Sequence, residues 1–159
     1  IITADHAAQA IDQSFNSTTG MYAIPIAYFC PSDTALKGTT GNTTQQIDIL
    51  PSVLGYLNYD SPFFAFGNDV FENRSDHHAV SFLNGTYRLI SNDYVLQFDG
   101  QQVLTFYKHR AVEAEKPVNT ARQLNTDRER QTFDGMEKEI KAIVQTYNSR
   151  LINNATTVR

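Results

Sequence analysis

The sequence predicts a mixed α/β chain in two parts: a piece of an α/β sheet core over residues 1–75, then a small antiparallel β-meander with a linker and a long C-terminal packing helix over 76–159. Three observations carry this reading. The chain opens on Ile1-Ile2-Thr3-Ala4, an aliphatic, β-branched run that reads as the end of a buried parallel strand, apolar on both faces. From residue 79, short β-rich segments alternate with turn dipeptides at a spacing too tight for crossover helices. Residues 128–153 carry an apolar stripe at helical spacing.

The opening run has no cap or turn before it. Sequence belonging to the same sheet is therefore expected upstream, and the chain reads as the C-terminal piece of something larger. Asp5 and His6 follow directly, where the strand ends. In open α/β sheets ligands sit outside the carboxyl ends of the strands. A carboxylate and an imidazole at that position are ordinary ligands for a divalent metal. An Asp-His pair taken alone is a weak signal, since most such pairs are caps or turns.

Composition sets the outer limits. A chain of 159 residues is long enough for one sizeable core, and 41% hydrophobic with 19% charged residues is the balance of a globular protein. No stretch approaches the ~20 apolar residues of a membrane span, and no signal peptide is visible. Residues 1–75 carry seven acidic residues against two basic ones, Lys37 and Arg74. That acidity, with no Lys/Arg stripe, argues against nucleic acid as a partner. It leaves room for a phosphate ester held through a metal, because the ion supplies the positive charge. Cys30 is the single cysteine, has no internal disulfide partner, and is expected to be a buried, inert thiol.

Along the chain, residues 7–20 read as a short helical turn and polar loop, and 22–29 as a second buried strand in which Pro25 implies an edge position or a late start. Residues 32–43 form a Gly/Thr/Asn/Ser loop. Thr44 is the expected N-cap of a helix whose Ile47, Leu50, Leu54 and Leu57 would pack on the sheet, with Pro51 marking a kink or the first turn. Residues 59–67 are an aromatic-rich loop, expected chiefly to pack over the adjoining core. The meander is punctuated by Asn84-Gly85, Asn92-Asp93 and Asp99-Gly100. One face of it is expected to take the final helix and the other the rest of the protein. Residues 111–127 read as a surface linker. In the final helix Met136, Ile140, Ile143, Val144, Tyr147 and Leu151 form the stripe, with Glu137, Lys138, Glu139 and Lys141 outside it and Gly135 weakening the early turns.

Other candidate residues carry less. His77-His78 reads as part of a solvated loop, and His109 between Lys108 and Arg110 makes a poor metal ligand. Asn-x-Ser/Thr sequons stand at Asn16, Asn42, Asn73, Asn84 and Asn154. There is no glycine-rich phosphate loop, and neither Thr3 nor Ser14 qualifies as a nucleophile.

Four blocks occur in order: Ile-Thr-Ala-Asp-His at 2–6, Ile-Pro-Ile-Ala-Tyr-Phe-Cys-Pro at 24–31, Gln-Ile-Asp-Ile-Leu-Pro-Ser-Val-Leu-Gly-Tyr-Leu at 46–57, and Phe-Gly-Asn-Asp-Val-Phe at 66–71. This order resembles the C-terminal part of the alkaline phosphatase/sulfatase superfamily, and most of all its lipoteichoic acid synthase-like (phosphoglycerol transferase) branch. The later Asn-Gly-Thr-Tyr-Arg-Leu-Ile segment is similar to the small C-terminal sheet of such proteins. The resemblance covers about residues 1–108, and the final helix more loosely. It implies that Asp5 and His6 are metal ligands, that Ser52 replaces a common structural Thr, and that the nucleophile (a Thr, or formylglycine in true sulfatases) lies upstream together with the remaining ligands.

The expected chemistry is transfer or hydrolysis of phosphoryl (phosphoglycerol or phosphoethanolamine) or sulfuryl esters, lipid-linked ones included. A divalent ion (Mn, Mg, Zn or Ca), shared with residues outside this chain, would activate a hydroxyl and offset charge on the transferred group. The expected partner is the remainder of the parent catalytic domain. By the same resemblance the parent enzyme is bacterial and works at the periplasmic or extracellular face of a membrane, anchored through N-terminal spans. The isolated chain, without a nucleophile, is expected to be inactive. The competing reading is a non-catalytic module whose meander and aromatic loop bind glycan, lipid headgroup or a partner subunit.

Overall fold

The computed structural model describes residues 1–7, 15, 19–34, 36–73, 77–108, 124 and 126–157. They fall into two compact units, one holding the described residues up to Gly41 and the other those from Asn42 onward. The architecture is mixed α/β, with a two-stranded sheet, a four-stranded antiparallel meander, one short helix and one long C-terminal helix.

In the first unit β1 (Ile2–Thr3) pairs antiparallel with β2 (Ile26–Ala27), Ile2 opposite Ala27 and Thr3 opposite Ile26. The buried parallel strand expected at the opening is not formed within this chain, and Ile2 is 69% exposed. The reason is coverage. A strand is buried on both faces only when helices lie over both, and none of the described residues of this unit forms an α-helix. The expected strand over 22–29 also shrinks to Ile26–Ala27. A 3-10 turn takes Gly20–Tyr22, and Pro25, which has no N–H to give a ladder, precedes the paired residues. Cys30 is half-buried rather than buried, its Sγ 3.4 Å from Ser32 Oγ.

The second unit begins with a helical entry that the sequence misplaces by one residue. Gln45, not Thr44, stands before the 3-10 turn Gln46–Asp48, which runs directly into α1 (Ile49–Tyr56). Pro51 is the third residue of α1, in the first turn, where its missing N–H costs nothing. The expected apolar stripe does not form the buried face: Ile47, Leu50 and Leu57 are exposed, while Asp48, Pro51 and Ser52 are buried. Hydrogen bonding decides this. Asp48 Oδ2 accepts the N–H of Gln45 at 2.9 Å, and Oδ1 accepts that of Asn68 at 2.8 Å. Such satisfaction is what makes a buried carboxylate tolerable.

The meander runs β3 (His78–Leu83), β4 (Thr86–Ser91), β5 (Tyr94–Phe98) and β6 (Val103–Lys108), in spatial order as in sequence. Asn84 and Gly85 both take positive φ, 51° and 78°, as a two-residue hairpin turn of primed type requires. Gln45 Oε1 accepts the N–H of Val80 at 2.9 Å, using a donor on edge strand β3.

One face of the meander carries the core. Leu89, Leu96, Phe98 and Phe106 pack with Phe133, Met136 and Ile140 of α2 (Asp127–Ile152), joined by Leu124. Burial of each such side chain contributes about 1.5–3 kcal/mol. Leu124 thus leaves the surface path expected for 111–127; the rest of that linker before Thr126 lies outside the described residues. Thr126 caps α2, its Oγ1 accepting from Glu129 N at 3.1 Å while the Glu129 carboxylate accepts from Thr126 N at 3.2 Å. The buried stripe starts earlier than expected, at Phe133, and fades at the other end, where Tyr147 and Leu151 are exposed. There the aromatic loop packs alongside. Phe66 lies 5.9 Å from Tyr147, and the Arg150 guanidinium sits 3.5 Å from the Phe64 ring centroid. On the opposite face of the meander Val95 and Tyr107 are also buried.

Candidate functional site

Asp5 and His6 follow β1 on a bend. Their side chains are 88% and 78% exposed and face each other, Asp5 Oδ2 lying 3.5 Å from His6 Nε2. The His6 backbone N–H donates to Asp5 Oδ1 at 3.0 Å, which turns the carboxylate toward its neighbour. His6 Nδ1 lies 3.0 Å from the carbonyl oxygen of Ala7. A carbonyl only accepts, so that contact places a ring proton on Nδ1, and Nε2 lies on the side of the carboxylate.

This is the donor arrangement a divalent ion uses. A metal-bound imidazole commonly donates its other N–H to a carbonyl or carboxylate. Metal–ligand bonds of about 2.0–2.2 Å in a tetrahedral site put neighbouring donor atoms about 3.3–3.6 Å apart, and the Oδ2–Nε2 separation falls in that range. Asp5 and His6 therefore fit as two ligands of one ion. Among the described residues no group of three or more His, Cys, Asp or Glu side chains gathers to complete a site.

The other sequence candidates are distributed as follows. Thr3 Oγ1 donates to the adjacent Ala4 carbonyl at 3.4 Å. Ser14 and His109 lie outside the described residues, as does most of the 7–20 loop. Ser52 is structural, fully buried, bonding Asp48 and Val70.

His77 and His78 are not in a solvated loop. His77 is 8% exposed, and His78 is the first residue of β3, with Nδ1 2.9 Å from Glu139 Oε1 on α2. Both line a cavity of about 310 Å³ between the start of β3, the β4–β5 turn and the first half of α2. Arg128, Thr132, Met136 and Glu139 fall on one face of the helix, at positions i, i+4, i+8 and i+11, and form the helical wall. Sequence reading missed this site because Glu139 lies among charged residues that look wholly solvated. The available signal was period-2 alternation, which carries β3 back from Val80 to His78 on the helix-facing side.

No protein-family model, curated protein or solved structure matches the chain. Among the described residues no helix is long and apolar enough to cross a membrane. The class defined by the fold is thus a mixed α/β chain with an antiparallel meander backed by its C-terminal helix.

Proposed function

We propose that this chain is the C-terminal portion of a metal-dependent enzyme of the alkaline phosphatase/sulfatase type, with Asp5 and His6 supplying two ligands of a shared divalent ion. The reaction is transfer or hydrolysis of a phosphoryl or sulfuryl ester, the nucleophile coming from outside the chain. The observation that supports it is the His6 imidazole, with Nδ1 donating to the Ala7 carbonyl and Nε2 3.5 Å from Asp5 Oδ2, the spacing of two ligands on one ion. An exposed Asp–His pair contributes little to stability, so that arrangement is not explained as a folding device.

When bound, the ion would lower the pKa of a coordinated hydroxyl and offset charge on the ester oxygens. The role of the chain's own residues is narrower. Asp5 would present a carboxylate oxygen and His6 its Nε2, with the ring orientation set by the Ala7 carbonyl. Two ligands hold an ion weakly.

The test is a Mn²⁺ titration of the chain followed by NMR. Saturable line broadening centred on Asp5 and His6, in the millimolar range and abolished in His6→Ala, is expected. Broadening spread over the acidic surface without a centre at these two residues would refute the assignment.

A further inference from the structure

We infer that the outward face of α1, with the aromatic residues that flank it, is a docking surface for a second protein segment that is apolar at its centre and basic at its rim. The inference rests on the reading above, under which the nucleophile and the remaining metal ligands come from outside the chain. The docked segment belongs to that outside part of the parent enzyme.

The first observation is the composition of α1. Residues 49–56 read Ile-Leu-Pro-Ser-Val-Leu-Gly-Tyr, without one charged side chain. Ser52 and Pro51 face inward, where Asp48 and Ser52 hold the backbone of Asn68 and Val70. The other side shows Ile47, Leu50 and Leu57 to water, each 49–65% exposed. A helix at a protein surface ordinarily turns charged or polar residues outward, and one that is apolar all round is built to be covered. α1 is covered on one side only.

The second observation is that the apolar surface does not stop at the helix. Tyr56 packs with Phe71 at 6.2 Å and Tyr59 with Phe63 at 6.4 Å between ring centroids, and all four rings are 40–51% exposed. Single exposed apolar side chains need no explanation. A group of them within one short stretch of chain, tied together by ring contacts, marks an interaction surface.

Charge then selects the occupant. Residues 38–73 contain no Lys or Arg, while Asp60, beside Tyr59, and Glu72, beside Phe71, are exposed. Anionic lipid is held by Lys and Arg, and this stretch offers none. A second copy docked through the same patch would gather Asp60 and Glu72 of both copies into one interface, where like charges repel. A protein surface with Lys or Arg around an apolar centre answers both properties of the patch.

The test compares the chain alone with the chain in its native open reading frame. Leu50→Asp and Leu57→Lys put a charge where the isolated chain already meets water, each sign at the helix end that favours it. The thermal midpoint of the isolated chain is expected to move by no more than about 2 °C. In the full-length protein the same variants bury that charge, and a fall of about 5 °C or more is expected. Asp60→Lys should also lower the full-length midpoint, by setting like charges against each other at the rim. A photo-crosslinking benzoylphenylalanine at position 59, close in shape to the tyrosine it replaces, is expected to couple to a segment outside residues 1–159 in the otherwise unchanged full-length protein. That readout stands if the charged variants fail to fold. Equal shifts in the two proteins, a higher full-length midpoint in Asp60→Lys, a crosslink that falls within residues 1–159 or joins two copies, or flotation of the isolated chain with phosphatidylcholine–phosphatidylglycerol vesicles would each overturn the proposal. The Mn²⁺ titration reads Asp5 and His6 separately, so its failure beside an outside crosslink would sink the metal reading alone.

Discussion

The Ser52 hydroxyl donates to the carbonyl oxygen of Asp48, one helical turn earlier, at 2.6 Å. The Ser52 Oγ in turn accepts the N–H of Val70 at 3.0 Å. With Asp48 Oδ1 holding Asn68, the 3-10 turn and the first turn of α1 grip the 67–70 segment through two side chains, both buried. Ser52→Ala strands the Val70 N–H in a buried setting. A loss of about 1–3 kcal/mol is expected, read from the midpoint of urea unfolding. Ser52→Thr keeps the hydroxyl and is expected to lose less than Ser52→Ala. Equal losses would mean that packing, not hydrogen bonding, sets this position.

Gly67 and Gly55 make a paired test. A Cβ on Gly67 would overlap the backbone carbonyl of Ile47, which cannot move without breaking the turn that leads into α1. Gly67→Ala is expected to destabilise by about 1–3 kcal/mol or more. A Cβ on Gly55 meets the Asp69 carboxylate, the end of a side chain that can rotate at the cost of its 2.9 Å bond from Phe71 N. Alanine also gains about 0.5–1 kcal/mol of helix stability there, so Gly55→Ala is expected to be near neutral. Thermal unfolding of the two variants side by side checks the ordering.

Acid should loosen the β5–β6 turn. Asp99 Oδ1 accepts the N–H groups of Gln102 and Gln101, each at 2.7 Å, and these bonds, Gln102 first, hold its carboxyl below the ordinary carboxylate range. The folded pKa is therefore lower than the unfolded one. The stabilisation is fully present above the unfolded value and is lost as pH falls through the folded one, below about pH 4. Amide shifts of Gln101 and Gln102 should titrate in that window and become pH-independent in Asp99→Asn. Shifts that are flat in the parent chain would show the bonds to be unimportant.

The metal reading makes a prediction for the chain in its native open reading frame. Asp5→Asn and His6→Ala should each lower phosphodiester or sulfate-ester hydrolysis by about 10²-fold or more, as loss of a metal ligand does where the ion stabilises the transition state. Added Mn²⁺ should partly rescue Asp5→Asn. Variants with unchanged activity would leave the pair as an ordinary bend.

Much of the second unit follows from local rules. The Asn84-Gly85 turn, period-2 alternation from His78 and the 3.6-residue stripe of α2 place the meander and its helix to within a residue or two, because each signal lies within a short stretch of chain. The proposed metal pair is legible for the same reason, as its contacts join adjacent residues. Other features needed long-range contact. Residues Asp48 and Ser52 displace the apolar stripe from the buried face of α1 because their partners, Asn68 and Val70, arrive some twenty residues later. His77 and His78 become part of a cavity only when α2 brings Glu139 across some sixty residues. Turn chemistry and side-chain period are properties of neighbours along the chain. Burial of a polar group depends on which distant donors reach it, and only the folded chain decides that.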